Sequence, residues 1–204
     1  MTHTKEWYEE AAQVENQHVR AVILKIDHLE HDRALEVASR AHEMAGRALG
    51  EQHPAYAVAL QNLGLYYCVI GNDTITAADF FERARAVAGP YHPALAETFY
   101  WLGIFYYEAR DASRAAQFFE EALTIRRRDP GVENSKTKGL ELAQTLIGLA
   151  HAKAITEGPD AAVSLLQEAL QIQEASLPGD SAEVLDTRRR LEQMQKRQQS
   201  AKTE

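Results

Sequence analysis

The amino-acid sequence repeats itself at intervals of about 39 residues, and this feature restricts the possible folds most. The tripeptide His53-Pro54-Ala55 returns as His92-Pro93-Ala94, and the dipeptide Leu63-Gly64 returns as Leu102-Gly103, both 39 positions later. The segment 77–84 has its counterpart in 115–122, 38 positions later. Units of this length are single supersecondary motifs that bury their apolar faces only by stacking on neighbouring copies. The sequence therefore predicts a stacked array.

The unit at 90–130 matches the pattern W-x₂-L-G-x₂-Y…A-x₃-F of the tetratricopeptide repeat. Its matching residues are Phe99, Leu102, Gly103, Tyr106, Ala115 and Phe119. The unit at 51–89 supplies Leu60, Leu63, Gly64, Tyr67, Ala77, Phe81 and Ala84, and a weaker unit at 136–177 supplies Ile147, Gly148, His151, Ala162, Leu166 and Ala169. Residues 1–50 keep only the second-helix alanines and are interpreted as a degenerate capping repeat, marked by Ala34, Ala38 and Ala41.

On these residues the chain resembles tetratricopeptide-repeat proteins, and the segment from Leu49 to Pro54 resembles the longer repeat variant of kinesin light chains. The resemblance covers residues 30 to 175. It implies an all-α fold, a right-handed α-solenoid of antiparallel helix pairs, in which the first helix of each pair lines a concave groove.

Helix boundaries are predicted from turn residues, because glycine and proline interrupt helices. The interruptions are Gly71-Asn72-Asp73, Gly89-Pro90, Asp129-Pro130-Gly131, Gly158-Pro159 and Pro178-Gly179. They predict about nine helices. The last, at 180–199, is expected to cap the array and to begin with a capping box of Asp180 and Glu183.

Three glycines within the first helices, Gly64, Gly103 and Gly148, are expected to serve packing. Any larger side chain there would hold a neighbouring helix away. These positions therefore predict close contacts between helices.

Composition excludes several classes of function. The 204 residues carry a formal net charge of -8, the reverse of what nucleic-acid binding requires. The sequence contains no apolar run of the roughly 20 residues that would span a membrane. The single cysteine, Cys68, can form no internal disulfide, which suits a reducing compartment. We expect Cys68 to be a small buried residue rather than a nucleophile. These features predict a cytoplasmic protein.

The first helix of the middle unit carries an apolar row beyond its packing stripe, formed by Tyr100, Trp101, Ile104 and Tyr107. Such a helix needs cover on both sides. The resemblance implies that this row and its neighbours line a partner-binding groove; burial of the row by curvature of the array is the alternative. The remaining residues of the predicted groove are Gln61, Asn62, Leu65, Cys68, Glu108, Thr145, Leu146 and Leu149.

Other polar clusters are interpreted structurally. His28, Glu30, His31 and Asp32 could bind a metal, but a solvated turn is favoured. His53 and His92 are expected at helix starts, and His151 in the core. The runs Arg126–Arg128 and Arg188–Arg190 are expected on solvated surfaces.

No nucleotide, hydrolase or zinc-protease motif is present, so the sequence predicts no enzyme, no cofactor and no metal. The predicted function is an adaptor that holds an apolar or amphipathic segment of another protein. A homo-oligomeric scaffold is the alternative, and a peptide-sensing regulator or a small-molecule-binding enzyme is a weaker one.

Overall fold

A computed structural model describes residues 31–89, 91–129, 131–132 and 134–201, and this part of the chain contains eight α-helices and no strand. The predicted helix around Trp7 to Ile26 lies outside the described residues. The all-α prediction is confirmed. The helices are α1 (His31–Leu49), α2 (Pro54–Val69), α3 (Thr74–Ala88), α4 (Pro93–Glu108), α5 (Ala112–Arg128), α6 (Lys136–Thr156), α7 (Pro159–Ser176) and α8 (Ala182–Ala201).

The predicted turn residues lie between these helices. Gly89 follows α3 with φ 86°, and Gly158 precedes Pro159 at the start of α7 with φ 93°, a backbone region that favours glycine. Asp73 and Asp111 are the N-caps of α3 and α5, and each carboxylate accepts a hydrogen bond from the backbone N–H three residues later. Turn chemistry therefore fixed these boundaries.

The repeated histidines also cap helices, as predicted. The Nδ1 atom of His53 accepts a hydrogen bond from the N–H of Ala55 at 3.2 Å, and His92 does the same with Ala94 at 3.3 Å. Their periodicity is therefore explained by the helix starts.

The predicted capping box of α8 is wrong by one residue. The helix begins at Ala182, and the hydroxyl of Ser181, not the carboxylate of Asp180, accepts the N–H of Val184 at 3.5 Å. Aspartate and serine are both good N-caps, so two adjacent candidates could not be separated from the sequence.

The described residues divide into two compact units, one reaching to Thr98 and the other beginning at Phe99. In the N-terminal unit α1 packs on α2, and α2 packs on α3. The predicted alanines of α1 are buried, and the ring of Phe81 lies against Gly64, where a Cβ would approach it to 2.8 Å. Gln61 is fully buried and accepts a hydrogen bond from the hydroxyl of Thr98 at 3.1 Å.

In the C-terminal unit, α5 packs on α6, α6 on α7 and α7 on α8. The ring of Phe119 on α5 lies between two glycines. A Cβ on Gly103 would lie 2.7 Å from this ring, and one on Gly148 would lie 2.6 Å from it. The prediction that these glycines permit close helix packing is thus confirmed.

The first helix of the third repeat follows a different register from the one the sequence suggested. The motif Leu-Ala-Glu-Thr that begins at Leu95 matches Leu-Ala-Gln-Thr at Leu142, 47 positions later, and both copies bury their Leu, Ala and Thr. By this offset Ala150, not Gly148, corresponds to Gly103 and is fully buried. The residues predicted for the second helix of this repeat, Ala162, Leu166 and Ala169, already lie at the offset of 47. Those predicted for the first helix lie at 45, because Gly148 is the only glycine in the middle of α6.

Candidate functional site

Seven of the twelve predicted groove residues are buried. Each exposes at most 4% of its surface. Three of them, Thr145, Leu146 and Leu149, lie on α6. The offset of 45 places them as groove residues, but they lie on the packed face of this helix. The seven are Gln61, Asn62, Leu65, Cys68, Thr145, Leu146 and Leu149.

The other five lie together on α4, in the C-terminal unit. Trp101 and Glu108 are exposed, and the other three are half-buried. The offset of 47 identifies positions on α6 that the sequence interpretation missed. Gly148 corresponds to Trp101, His151 to Ile104 and Ile155 to Glu108. Ile155 is 64% exposed.

The ring of Trp101 lies against Tyr100, which belongs to a cluster of packed side chains. It meets the ring of Tyr100 edge to face, with centroids 5.5 Å apart and planes at 69°. Tyr100 lies in turn 5.9 Å from the ring of Phe119, the residue wedged between the two glycines. Aromatic pairs in such geometry contribute about 0.5–1.5 kcal/mol beyond their burial. The tryptophan therefore rests on a rigid support.

Arg126 completes this support and is not the solvated residue that the sequence suggested. Only 9% of it is exposed, and its guanidinium lies 5.0 Å from the ring centroid of Tyr100. It donates hydrogen bonds to the backbone carbonyl of Glu141, at 2.6 Å, and to the hydroxyl of Thr145. Burial raises the pKa of Tyr100, and the nearby arginine opposes this effect. The guanidinium thus joins α4, α5 and α6.

A second polar contact lies at the other end of this surface. The ring of His151 lies 6.0 Å from that of Tyr107, and its Nε2 lies 2.6 Å from Nη1 of Arg190. Burial, and then the charge of Arg190, lower the pKa of His151 to about 4. The imidazole is therefore neutral near pH 7 and accepts the arginine N–H. Asp186 holds the same arginine through Nε at 2.6 Å.

The possible metal-binding cluster between residues 28 and 32 lies mostly outside the described residues. His28 and Glu30, with the side chains of His31 and Asp32, lie outside the described residues. Within the part that is described, no three histidine, cysteine or acidic side chains come together as metal ligands. In the same part of the chain, no helix is both long and apolar enough to cross a bilayer.

Comparisons with known proteins agree with the repeat. Residues 29–88 match the sequence model of the tetratricopeptide repeat. BtubC (BKLC) from P. vanneervenii is 22% identical with a TM-score of 0.54, over 75% of this chain and 62% of that one, so this chain spans less than two thirds of BtubC. Two structures from Podosopora anserina, described as kinesin light chain nearly identical TPR-like repeats, are 16% identical, with TM-scores of 0.60 and 0.59 over 97% of this chain and 88% of theirs. No curated protein sequence matches this chain.

The fold is that of a tetratricopeptide-repeat protein, a class that generally provides scaffolds for protein–protein interaction. The sequence match confirms the predicted tetratricopeptide repeat over residues 29–88, and the fold shared with these structures confirms the predicted likeness to kinesin-light-chain-type repeats.

Proposed function

We propose that this chain is a non-catalytic adaptor that holds an apolar or amphipathic segment of another protein against the exposed face of α4 around Trp101. The observation that supports this function is the exposure of Trp101, 37% of whose surface is accessible. The other rings of its cluster, Tyr100 and Phe119, are half-buried and buried. Tryptophan, like tyrosine and arginine, is enriched among binding hot spots.

The support beneath Trp101 makes it a suitable anchor. Its ring contacts Tyr100, which Phe119 and Arg126 hold in place. A side chain that is already ordered loses little entropy when a partner binds, and a smaller loss leaves a larger net affinity.

The surface beside Trp101 suits an apolar or amphipathic partner. On α6, the corresponding positions hold the half-exposed Gly148, the neutral His151 and the exposed Ile155. Glu108 adds a carboxylate at the end of α4. The cytoplasm remains the predicted compartment, because a chain with one cysteine forms no internal disulfide.

The test places the photo-crosslinking amino acid benzoylphenylalanine at position 101 and, as a control, at Ile75, an exposed apolar residue of α3. We expect a distinct protein to be crosslinked from position 101 alone. The affinity of the purified partner should then fall at least about 30-fold in Trp101→Ala, equivalent to about 2 kcal/mol. Ile75→Ala should leave it unchanged.

Two results would contradict the proposal: the same proteins crosslinked from both positions, or an affinity that Trp101→Ala leaves unaltered. A crosslink from position 101 to a second copy of this chain, with a dimer in light scattering, would establish the homo-oligomeric alternative instead.

A further inference from the structure

Two repeats share a stack of aromatic rings at the end of the first helix. In the N-terminal unit Tyr67 stacks on Phe80, with centroids 5.5 Å apart and planes at 10°. In the C-terminal unit Tyr106 stacks on Phe118, at 5.4 Å and 6°. The guanidinium of Arg114 lies over Tyr106, 4.4 Å from its centroid. These flat side chains fill the space between the two helices of their repeat.

The third repeat lacks this stack. At the offset of 47, the positions of Tyr106, Phe118 and Arg114 are occupied by Lys153, Leu165 and Ala161. All three replacements line one cleft of about 620 Å³ between α5, α6 and α7. The cleft therefore coincides with the place where a tyrosine, a phenylalanine and an arginine pack in the preceding repeat.

The rest of the cleft is apolar at its base and charged at its rim. Leu123 and Leu149 expose 7% and 2% of their surface, so they form a closed base. Lys153 lies 2.8 Å from the carboxylate of Glu120 and 3.0 Å from that of Glu157. These three charged side chains mark one side of the rim.

Two arginines of α5 also lie at the rim. Arg127 pairs with Glu168 through two contacts of 2.6 and 2.8 Å, and Arg128 lines the cleft beside it. With Lys153, the lining contains three cations; the carboxylates of Glu120 and Glu157 pair with Lys153, and that of Glu168 pairs with Arg127. Exposed ion pairs of this kind contribute only about 0–1 kcal/mol, so a ligand carboxylate can compete for Arg127.

From this missing stack we infer a second binding site, which takes a free, planar aromatic carboxylate of two or three rings. The aromatic body replaces the rings that the third repeat lacks and packs on Leu165, and the carboxylate faces the arginines of α5. The cleft volume falls in the range of about 300–1,000 Å³ typical of small-molecule sites. This site is separate from the surface around Trp101, so it does not depend on the adaptor function.

The test titrates the full chain with naphthalene-2-carboxylate and follows binding by calorimetry and by amide chemical shifts. We expect saturable binding with shifts concentrated at the cleft, and at least about 10-fold weaker binding of naphthalen-2-ylmethylamine, whose charge is opposite. Leu165→Phe restores one missing ring without changing any charge, so it should weaken carboxylate binding at least about 10-fold. Ala161→Phe fills the cleft from the start of α7 and should act similarly.

Gln144→Ala, on the exposed side of α6, is the matched control and should bind like the unaltered protein. The thermal melting of each variant shows that it is folded. Absence of binding at millimolar carboxylate, equal or tighter binding of the amine, or full binding by the folded Leu165→Phe and Ala161→Phe variants would overturn the inference.

Discussion

The ring of Phe119 leaves no space for a methyl group on either glycine beside it. A Cβ on Gly103 would lie 2.7 Å from both Cδ1 and Cε1 of this ring, closer than van der Waals contact allows. Replacing a helical glycine by alanine gains about 1 kcal/mol in helix propensity. Overpacking a core costs about 1–3 kcal/mol. We therefore expect Gly103→Ala to lower the free energy of unfolding by up to about 2 kcal/mol.

Gly139, also in a helix, supplies the control for this substitution. A Cβ there would meet Ile172 at an ordinary 3.6 Å, so Gly139→Ala should gain the propensity alone and stabilise by up to about 1 kcal/mol. Urea unfolding followed by circular dichroism gives both free energies. A stabilisation by Gly103→Ala as large as that by Gly139→Ala would refute the predicted clash with Phe119.

The third repeat suggests how the clash is relieved. At the positions of Gly103 and Phe119 it carries Ala150 and Leu166, which are both fully buried. Phe119→Leu should therefore cost less in the background of Gly103→Ala than it costs alone, with a coupling of about 0.5–3 kcal/mol for residues in contact. Additive free energies in this double-mutant cycle would show that the ring adjusts without strain.

Two further predictions concern the polar contacts of the C-terminal unit. Arg126→Met should destabilise the protein by about 1–3 kcal/mol in thermal or urea unfolding, because it removes the hydrogen bonds to α6 and the charge beside Tyr100. The control Arg128→Met, on the exposed side of α5, should change the free energy of unfolding little. The pKa of His151 is about 4 in the folded protein against 6.5 for an ordinary histidine, so the unfolded chain binds the proton first and stability should fall between pH 6.5 and 4. The loss is at most about 3 kcal/mol, reduced by solvent screening, and His151→Gln should remove this part of the pH dependence measured by urea unfolding at each pH.

The helix pairs and their boundaries were predictable because local chemistry determines them. A glycine at positive φ, a proline at the first turn or an aspartate at an N-cap acts within a few residues, so its meaning does not depend on distant contacts. The N-cap of α8 was the exception, because Asp180 and Ser181 are adjacent and equally suitable. Neighbouring helices decide between such candidates.

The register of the third repeat could not be taken from one residue. The sequence suggests Gly148 as the glycine of the repeat, and the ring of Phe119 does pack against it, as it packs against Gly103. Gly148, however, lies two positions before Ala150, the residue that corresponds to Gly103. The pattern of several buried residues, beginning with Leu142 and Thr145, gives the register that a single small residue cannot. The three predicted site residues on α6 are buried for this reason.

The run Arg126–Arg128 shows where a sequence pattern loses its power. One residue is buried beside Tyr100, the next pairs with Glu168, and the third is exposed. Successive helical residues point about 100° apart, so three identical side chains enter three environments. Only the packing of α6 and α7 around α5 distinguishes them.

The differences between repeats account for both proposed sites. A position that packs in one repeat can be released in another, because each repeat has different neighbours: Asn62 is buried, whereas Trp101, 39 positions later, is exposed. Lys153 likewise stands where Tyr106 stacks on a phenylalanine. The repeat pattern specifies the packed positions, and the residues that depart from it are therefore the ones available to bind a partner or a ligand.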